Sequence, residues 1–442
     1  MNLLNADPQP YPFGPASVAS IFVGSDPLAL ALVDGERTWT YGELETAVED
    51  RSKDLTERFV FWSAKNSAEL VIEFLATQRA GHVWVGLPPT LSRGNRETLM
   101  QRVLEAQQLP SNLSAVAFTS GTTGQPKGVM HSQHSMLAPG LVSIDEDPPA
   151  TDERIGTPLS LCILNMLLLG PVSALLRGST AVIMERTWDE GFAEDVRTHH
   201  VTKAFVVPTM LHDLVHAETI TDLAPLRSVI VGGAGINMDV IDAFETRFGV
   251  RPVRRWGFTE APTGVVTDGY PFPHVEIIEI EGELCVRPAS SGRWAGSFTG
   301  ALGYLDDPEA TEELFRDGVL HTGDAGSVDA NGVVSVTGRL SEMIIRGGAN
   351  IDPTEVERAL LSLDGIADAA VVGMDDARLG QVVAAAICGV SGPDRAAARL
   401  QGELPTHAVP ERWLLVDELP RNAMGKVDRA AVRQLFHDST SP

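Results

Sequence analysis

The ten residues Ser120-Gly121-Thr122-Thr123-Gly124-Gln125-Pro126-Lys127-Gly128-Val129 constrain this chain more than any other stretch. They follow Ala115-Val116-Ala117-Phe118, an apolar run that reads as a buried strand feeding a loop. Three glycines let backbone N–H groups crowd around an anion, three hydroxyls donate further hydrogen bonds, and Lys127 adds a point charge. Such a loop suits phosphate. It is not of the Walker form: Pro126 stands where that pattern needs glycine before the lysine, and Gly128 replaces the hydroxyl residue that would hold magnesium.

A polyphosphate site here must be locally positive against the global sign. Acidic residues number 59 against 34 basic, a formal charge of −25. That field repels nucleic acid and anionic lipid, so neither is expected as a partner. The 442 residues allow about three domain-sized units. Cys162, Cys285 and Cys388 are far apart, with no metal spacing and no disulfide framework, as suits a reducing cytoplasm. Met1-Asn2-Leu3-Leu4 has no basic region or long apolar core, so no signal peptide is expected. The most apolar segment, 159–176, includes Ser160, Asn165, Gly170, Pro171 and Ser173, which predicts a buried helix rather than a membrane span.

Strands and helices alternate through most of the chain, predicting a parallel sheet covered on both faces. Strands are expected at 38–41, 59–62, 82–86, 115–118, 181–184, 203–207 and 228–231. Helices are expected at 42–55, 67–80, 188–199, 209–216 and 238–248. From about Val275 to Arg287 the pattern shortens to strands, continued by 315–320 and 332–337, as in a β-rich subdomain. After Gly338-Arg339 the character changes again. A boundary near Ser341 divides a domain of residues 1–340 from one of 341–442, the latter with a helix at 353–363, strands near Ala369 and Val382, and a helix from Asp394.

Further stretches carry chemistry. Ile230-Val231-Gly232-Gly233-Ala234-Gly235 is a strand ending in small residues, where a flat group can approach the backbone; it also reads as a plain strand-to-helix turn. In Arg255-Trp256-Gly257-Phe258-Thr259-Glu260 an aromatic can stack on a base, a hydroxyl can reach a phosphate, and a carboxylate can hold Mg²⁺. His321-Thr322-Gly323-Asp324 ends a strand with a carboxylate able to accept from vicinal hydroxyls, and Gly338-Arg339 can meet the same ribose or a phosphate. Gly425-Lys426 puts a lysine on a turn near the C terminus.

In this order the stretches resemble the adenylate-forming superfamily of acyl-CoA synthetases, adenylation domains and luciferases, over most of the chain. The loop at 120–129 matches the signature, Trp256-Gly257-Phe258-Thr259-Glu260 matches its Y-G-x-T-E element with Trp for Tyr, and Gly347 to Glu357 has the form of CoA ligases. The fold implied is α/β: a large N-terminal domain of stacked sheets with a β-rich subdomain, and a small mobile α+β C-terminal domain.

The resemblance implies activation of a carboxylic acid by ATP and Mg²⁺ to acyl-AMP, then thioester formation with CoA. Catalytic roles fall to Lys426, Thr259 and Glu260, with Glu260 holding the metal. Nucleotide and CoA contacts fall to Thr119, Ser120, Gly121, Thr122, Thr123, Gly124, Lys127, Gly233, Ala234, Arg255, Trp256, Gly257, Asp324, Arg339, Gly347 and Gly348. Ser341 matches the hinge, where relatives often carry Asp or Lys. The acid pocket is expected from Leu161, Cys162, Met166, Phe205, Val207, Gly232 and Phe258. These, with no acidic residue between Arg154 and Glu185 to pair an ammonium, suggest a hydrophobic acid rather than an α-amino acid. An acyl-AMP ligase serving a carrier protein, a non-catalytic nucleotide binder and a homodimer stay open. The segment between Gly86 and Ala115 is shorter than in typical relatives, and Gln133 stands where the family often has histidine.

Overall fold

A computed structural model describes residues 14, 17–119, 126–184, 190–233, 235–236, 238–363, 365–389, 392–401, 403–421 and 427–440. Among these, strands form four sheets. The largest runs, in spatial order, Tyr270–Pro271, Ala261–Thr267, Val253–Phe258, Ser228–Gly232, Lys203–Val206, Arg154–Thr157, Thr180–Ile183, Leu30–Asp34 and Arg37–Thr40. Its centre is parallel and both edges are antiparallel hairpins. Continuous apolar runs such as Thr180–Ile183 are buried along their whole length, as strands covered on both faces must be.

A second sheet orders Gly303–Tyr304, Lys127–His131, Ala115–Thr119, Val83–Gly86 and Phe59–Trp62. Lys127–His131 runs antiparallel to Ala115–Thr119, pairing Thr119 with Lys127. Residues 120–125 lie outside the described residues. A third, antiparallel sheet holds Val275–Ile280, Glu283–Pro288, Leu320–Val328 and Val334–Arg339. Its expected strand at 315–320 is corrected. Arg316–Gly318 is a turn of 3₁₀ helix with Asp317 at φ 57°, and the strand starts only at Leu320.

Helices start where the sequence provides caps. Thr40 accepts from the Glu43 N–H while Glu43 accepts from that of Thr40 at 2.8 Å, opening Tyr41–Asp54 with reciprocal bonds. Ser67 caps Ala68–Arg79, which buries Leu70, Phe74 and Leu75. The apolar segment at 159–176 is helical from Leu164 to Leu176, widening to a π turn over Leu168–Val172, where Pro171 supplies no N–H. Among the described residues no helix is long and apolar enough to cross a membrane.

From Ile344 onward the strands belong to a fourth sheet, made of Ala349–Ile351, Ile344–Arg346, Gly380–Gly389, Ile366–Asp376 and Arg412–Leu415. Arg429 joins its pieces: Nε meets Glu342 at 2.9 Å, the guanidinium grips Glu357, and one nitrogen donates to the Val371 carbonyl at 2.7 Å. Ser341 is exposed, in the short turn Leu340–Glu342 between the third sheet and the fourth.

Candidate active site

One hairpin organises the site. Strands Val253–Phe258 and Ala261–Thr267 pair antiparallel with Phe258 opposite Ala261, so Thr259 and Glu260 form its tip. Gly257 and Gly264 let the two strands close: a Cβ on Gly257 would lie 2.4 Å from the Gly264 Cα. Trp256 and Glu260 ride on this hairpin, and each is fixed from a different sheet.

Tyr304, on the edge strand beside Lys127–His131, donates its hydroxyl to Glu260 Oε1 at 2.6 Å. Burial and the adjoining carboxylate push the tyrosine pKa far up, so it stays a donor. Lys127 places its ammonium 4.7 Å from the centroid of the same ring. Tyr304 thus joins Lys127 to the hairpin carboxylate, whose Oε2 accepts no hydrogen bond among the described residues. The set fits a hard cation, since one carboxylate oxygen is held and the other is left to bind.

On the other side, the Trp256 indole N–H donates to Asp324 Oδ2 at 2.7 Å, and Arg339 Nε meets Asp324 Oδ1 at 2.6 Å. Arg339 also donates to the Thr322 carbonyl at 2.8 Å. Asp324 is 6% exposed, a buried carboxylate stabilised by two charge-assisted bonds. Its strand is steadied by Glu283, which accepts from the Gly323 N–H at 2.8 Å and meets His321 Nδ1 at 2.8 Å.

Other expected site residues are placed as follows. Thr119 ends its strand half-buried, while Gly232 and Gly233 close Ser228–Gly232. Gly347 and Gly348, at φ 58° and 88°, are the two-residue turn joining Ile344–Arg346 to Ala349–Ile351. A Cβ on Gly348 would meet nothing within 4 Å, and one on Gly235 would lie 3.4 Å from the Thr354 methyl, so the fourth sheet's first helix abuts the glycine strand end. Ser120, Gly121, Thr122, Thr123, Gly124, Ala234 and Lys426 lie outside the described residues.

Two expectations change. Arg255, expected among the nucleotide contacts, faces away from Trp256 and Asp324, because adjacent strand residues face opposite sides; its guanidinium lies over Phe272. The seven acid-pocket residues are divided among three apolar cores. Leu161, Cys162 and Phe205 share one, with Met166 against it, Val207 borders a second, and Phe258 belongs to a third, while Gly232 is half-buried at its strand end. Cys162 donates its thiol to the Ala64 carbonyl at 3.3 Å and is 2% exposed, so its side chain is committed to packing.

Tyr304 was not among the expected residues, and nothing in Ala301-Leu302-Gly303 or Leu305-Asp306 marks it in sequence. His131, fully buried against the Thr259 backbone, was missed too; burial pulls its pKa down to about 4 and leaves it neutral. Gln133, in the position where the family often has histidine, accepts from the Val18 N–H at 3.0 Å and donates to the Gln78 carbonyl at 3.2 Å, a purely structural bridge.

Residues 100–283 match the AMP-binding enzyme family, and residues 355–426 match the AMP-binding enzyme C-terminal domain. A feruloyl-CoA synthase of an Amycolatopsis species is 34% identical over 360 residues, covering 75% of this chain and 72% of that protein. An indoleacetate–CoA ligase of Aromatoleum aromaticum is 31% identical over 370 residues, covering 78% and 72%. The fold is that of o-succinylbenzoate-CoA synthetase from Bacillus subtilis, solved with its acyl-adenylate intermediate, at a TM-score of 0.83 and 23% identity over 97% of this chain and 99% of that one. This chain belongs to the AMP-binding enzyme family.

Proposed function

We propose that this protein activates a carboxylic acid with ATP, releasing pyrophosphate, and transfers the acyl group from acyl-AMP to the thiol of CoA. The observation that carries the reading is the single hairpin that bears Glu260, linked through Tyr304 to Lys127, and Trp256, linked to Asp324 and Arg339. Relatives named as CoA ligases support the choice of acceptor.

Attack of a carboxylate on the α-phosphorus brings anion against anion, so charge neutralisation and positioning dominate the barrier. Mg²⁺, held by Glu260, would neutralise phosphate charge. Lys127 adds a cation at the mouth of the loop 120–126, where the β- and γ-phosphates would lie. Thr259, at the tip, would donate to the α-phosphate. Asp324 would accept from the two ribose hydroxyls, and Arg339 holds its carboxylate in place. The adenine would rest between Gly233-Ala234 and Trp256. Lys426 would bridge the acyl carboxylate and the ribose–phosphate oxygens.

The second half-reaction would use rotation of residues 341–442 at Ser341, withdrawing Lys426 and bringing up the Gly347-Gly348 turn. Glu342, bound to Arg429, would move with that unit.

The test is mass spectrometry of products from purified protein with MgATP and a panel of carboxylic acids, with and without CoA. Acyl-CoA formed only when CoA is added supports the reading. Acyl-AMP that accumulates regardless of CoA replaces CoA with a carrier-protein acceptor, and no adenylate from any acid contradicts the reading.

A further inference from the structure

Arg255 is half-buried, yet its guanidinium forms no ion pair and no hydrogen bond among the described residues, and its Nε is buried without a partner. Its side chain runs across Gly264, with Cγ and Cδ 2.5 and 2.7 Å from where a Cβ there would sit. Gly264, at φ 100°, leaves that room. Thr267 stands directly across the ladder from Arg255, so both project from the same face, and its hydroxyl is also buried and unpartnered. Both residues are half-buried, so part of each side chain still reaches the surface.

Apart from the Phe272 ring beneath it at 5.1 Å, this cation has no carboxylate of its own. Glu153 is taken by Arg177 at 2.6 Å and Lys203 at 3.1 Å, and Asp147 by Lys203 at 2.6 Å. With Arg255, three cations share two carboxylates. Burial lowers the guanidinium pKa to about 10, with Asp147 opposing that shift and Arg177 adding to it, so the group is still charged at pH 7. A half-buried cation and an orphan hydroxyl on one face are costly unless an anion completes them.

We propose that Arg255 and Thr267 recognise a second carboxylate, at the far end of the acid that this protein activates. The site rests on the acid-activating reading above. Arg255 lies on the strand that leads to Glu260, and at a rise of about 3.3 Å per residue it sits some 10 Å from the hairpin end at Phe258. That spacing selects dicarboxylic acids of medium length whose apolar middle crosses the Gly257–Gly264 contact. The guanidinium donates two parallel N–H bonds to the distal carboxylate, and Thr267 donates a third.

The experiment compares kcat/KM for α,ω-dicarboxylates from glutarate to azelate with their monomethyl esters, in pyrophosphate release by wild type, Arg255→Met and Arg255→Lys. Wild type prefers the best diacid over its ester by at least about tenfold. That ratio falls about 10- to 100-fold in Arg255→Met and partly recovers in Arg255→Lys. A wild-type ratio at or below one, or a ratio unchanged in a folded Arg255→Met protein, overturns the site. Calorimetric binding of the diacids without ATP separates the two readings. Binding lost in Arg255→Met upholds the site even where no acid releases pyrophosphate, whereas no diacid binding to wild type overturns it.

Discussion

Tyr304 donates its hydroxyl to Glu260 at 2.6 Å while its ring carries the Lys127 ammonium at 4.7 Å. One side chain from the edge of the second sheet therefore sets the spacing between Lys127 and the carboxylate assigned to Mg²⁺.

Tyr304→Phe keeps the ring under Lys127 and removes only the bond to Glu260. Freed to rotate, the carboxylate holds Mg²⁺ less well, and the Mg²⁺ concentration for half-maximal pyrophosphate release rises by about tenfold, as for loss of a hydrogen bond to a charged group. An Mg²⁺ titration checks this. An unchanged midpoint would separate Tyr304 from the metal site.

Asp324→Asn removes the charge that both Trp256 and Arg339 address. The KM for ATP should rise about tenfold or more, with a smaller change in KM for the acid, because the carboxylate is assigned to ribose. Equal changes in both constants would argue for a general loss of structure.

Gly264→Ala places a methyl 2.5 Å from the Arg255 Cγ on a backbone at φ 100°. Strain and overpacking together should destabilise the protein by about 1–3 kcal/mol and displace Arg255. Thermal unfolding measures the first effect, and the diacid-to-ester ratio measures the second.

The outline of the fold is legible because apolar runs and caps agree locally: Phe59–Trp62, Ser228–Gly232 and Met238–Phe248 form where the pattern places them, within a residue. The short motifs also hold residues that the fold brings into contact: Trp256 meets Asp324, and Glu260 lies on the same hairpin as Trp256. Tyr304 is not legible in the sequence, because its role arises from a two-residue edge strand whose position only tertiary pairing decides. Arg255 misleads for a related reason. It sits beside a motif tryptophan, and only the strand's alternation shows that the two face apart. The strand expected at 315–320 fails on Asp317-Gly318, a turn signal outweighed by the apolar residues on either side.

His274 and His131 are both fully buried, and neither nitrogen of His274 has a hydrogen-bond partner among the described residues. Burial pulls their pKa values from 6.5 to about 3 and about 4. Below pH 6.5 the unfolded chain binds protons that the folded one refuses, so stability is full above that pH and falls as pH drops toward 4 and then 3. In His274→Phe the midpoint of urea unfolding should depend less steeply on pH between 6.5 and 4. Identical slopes for variant and wild type would contradict the assignment.

The central claim is that this hairpin activates an acid with ATP, and acid-dependent exchange of labelled pyrophosphate into ATP tests it most directly, because only reversible adenylation returns the label. The account predicts exchange that requires both a carboxylic acid and Mg²⁺, proceeds without CoA, and drops at least about tenfold in Glu260→Gln. Exchange equally fast without acid, or undiminished in Glu260→Gln, would contradict it.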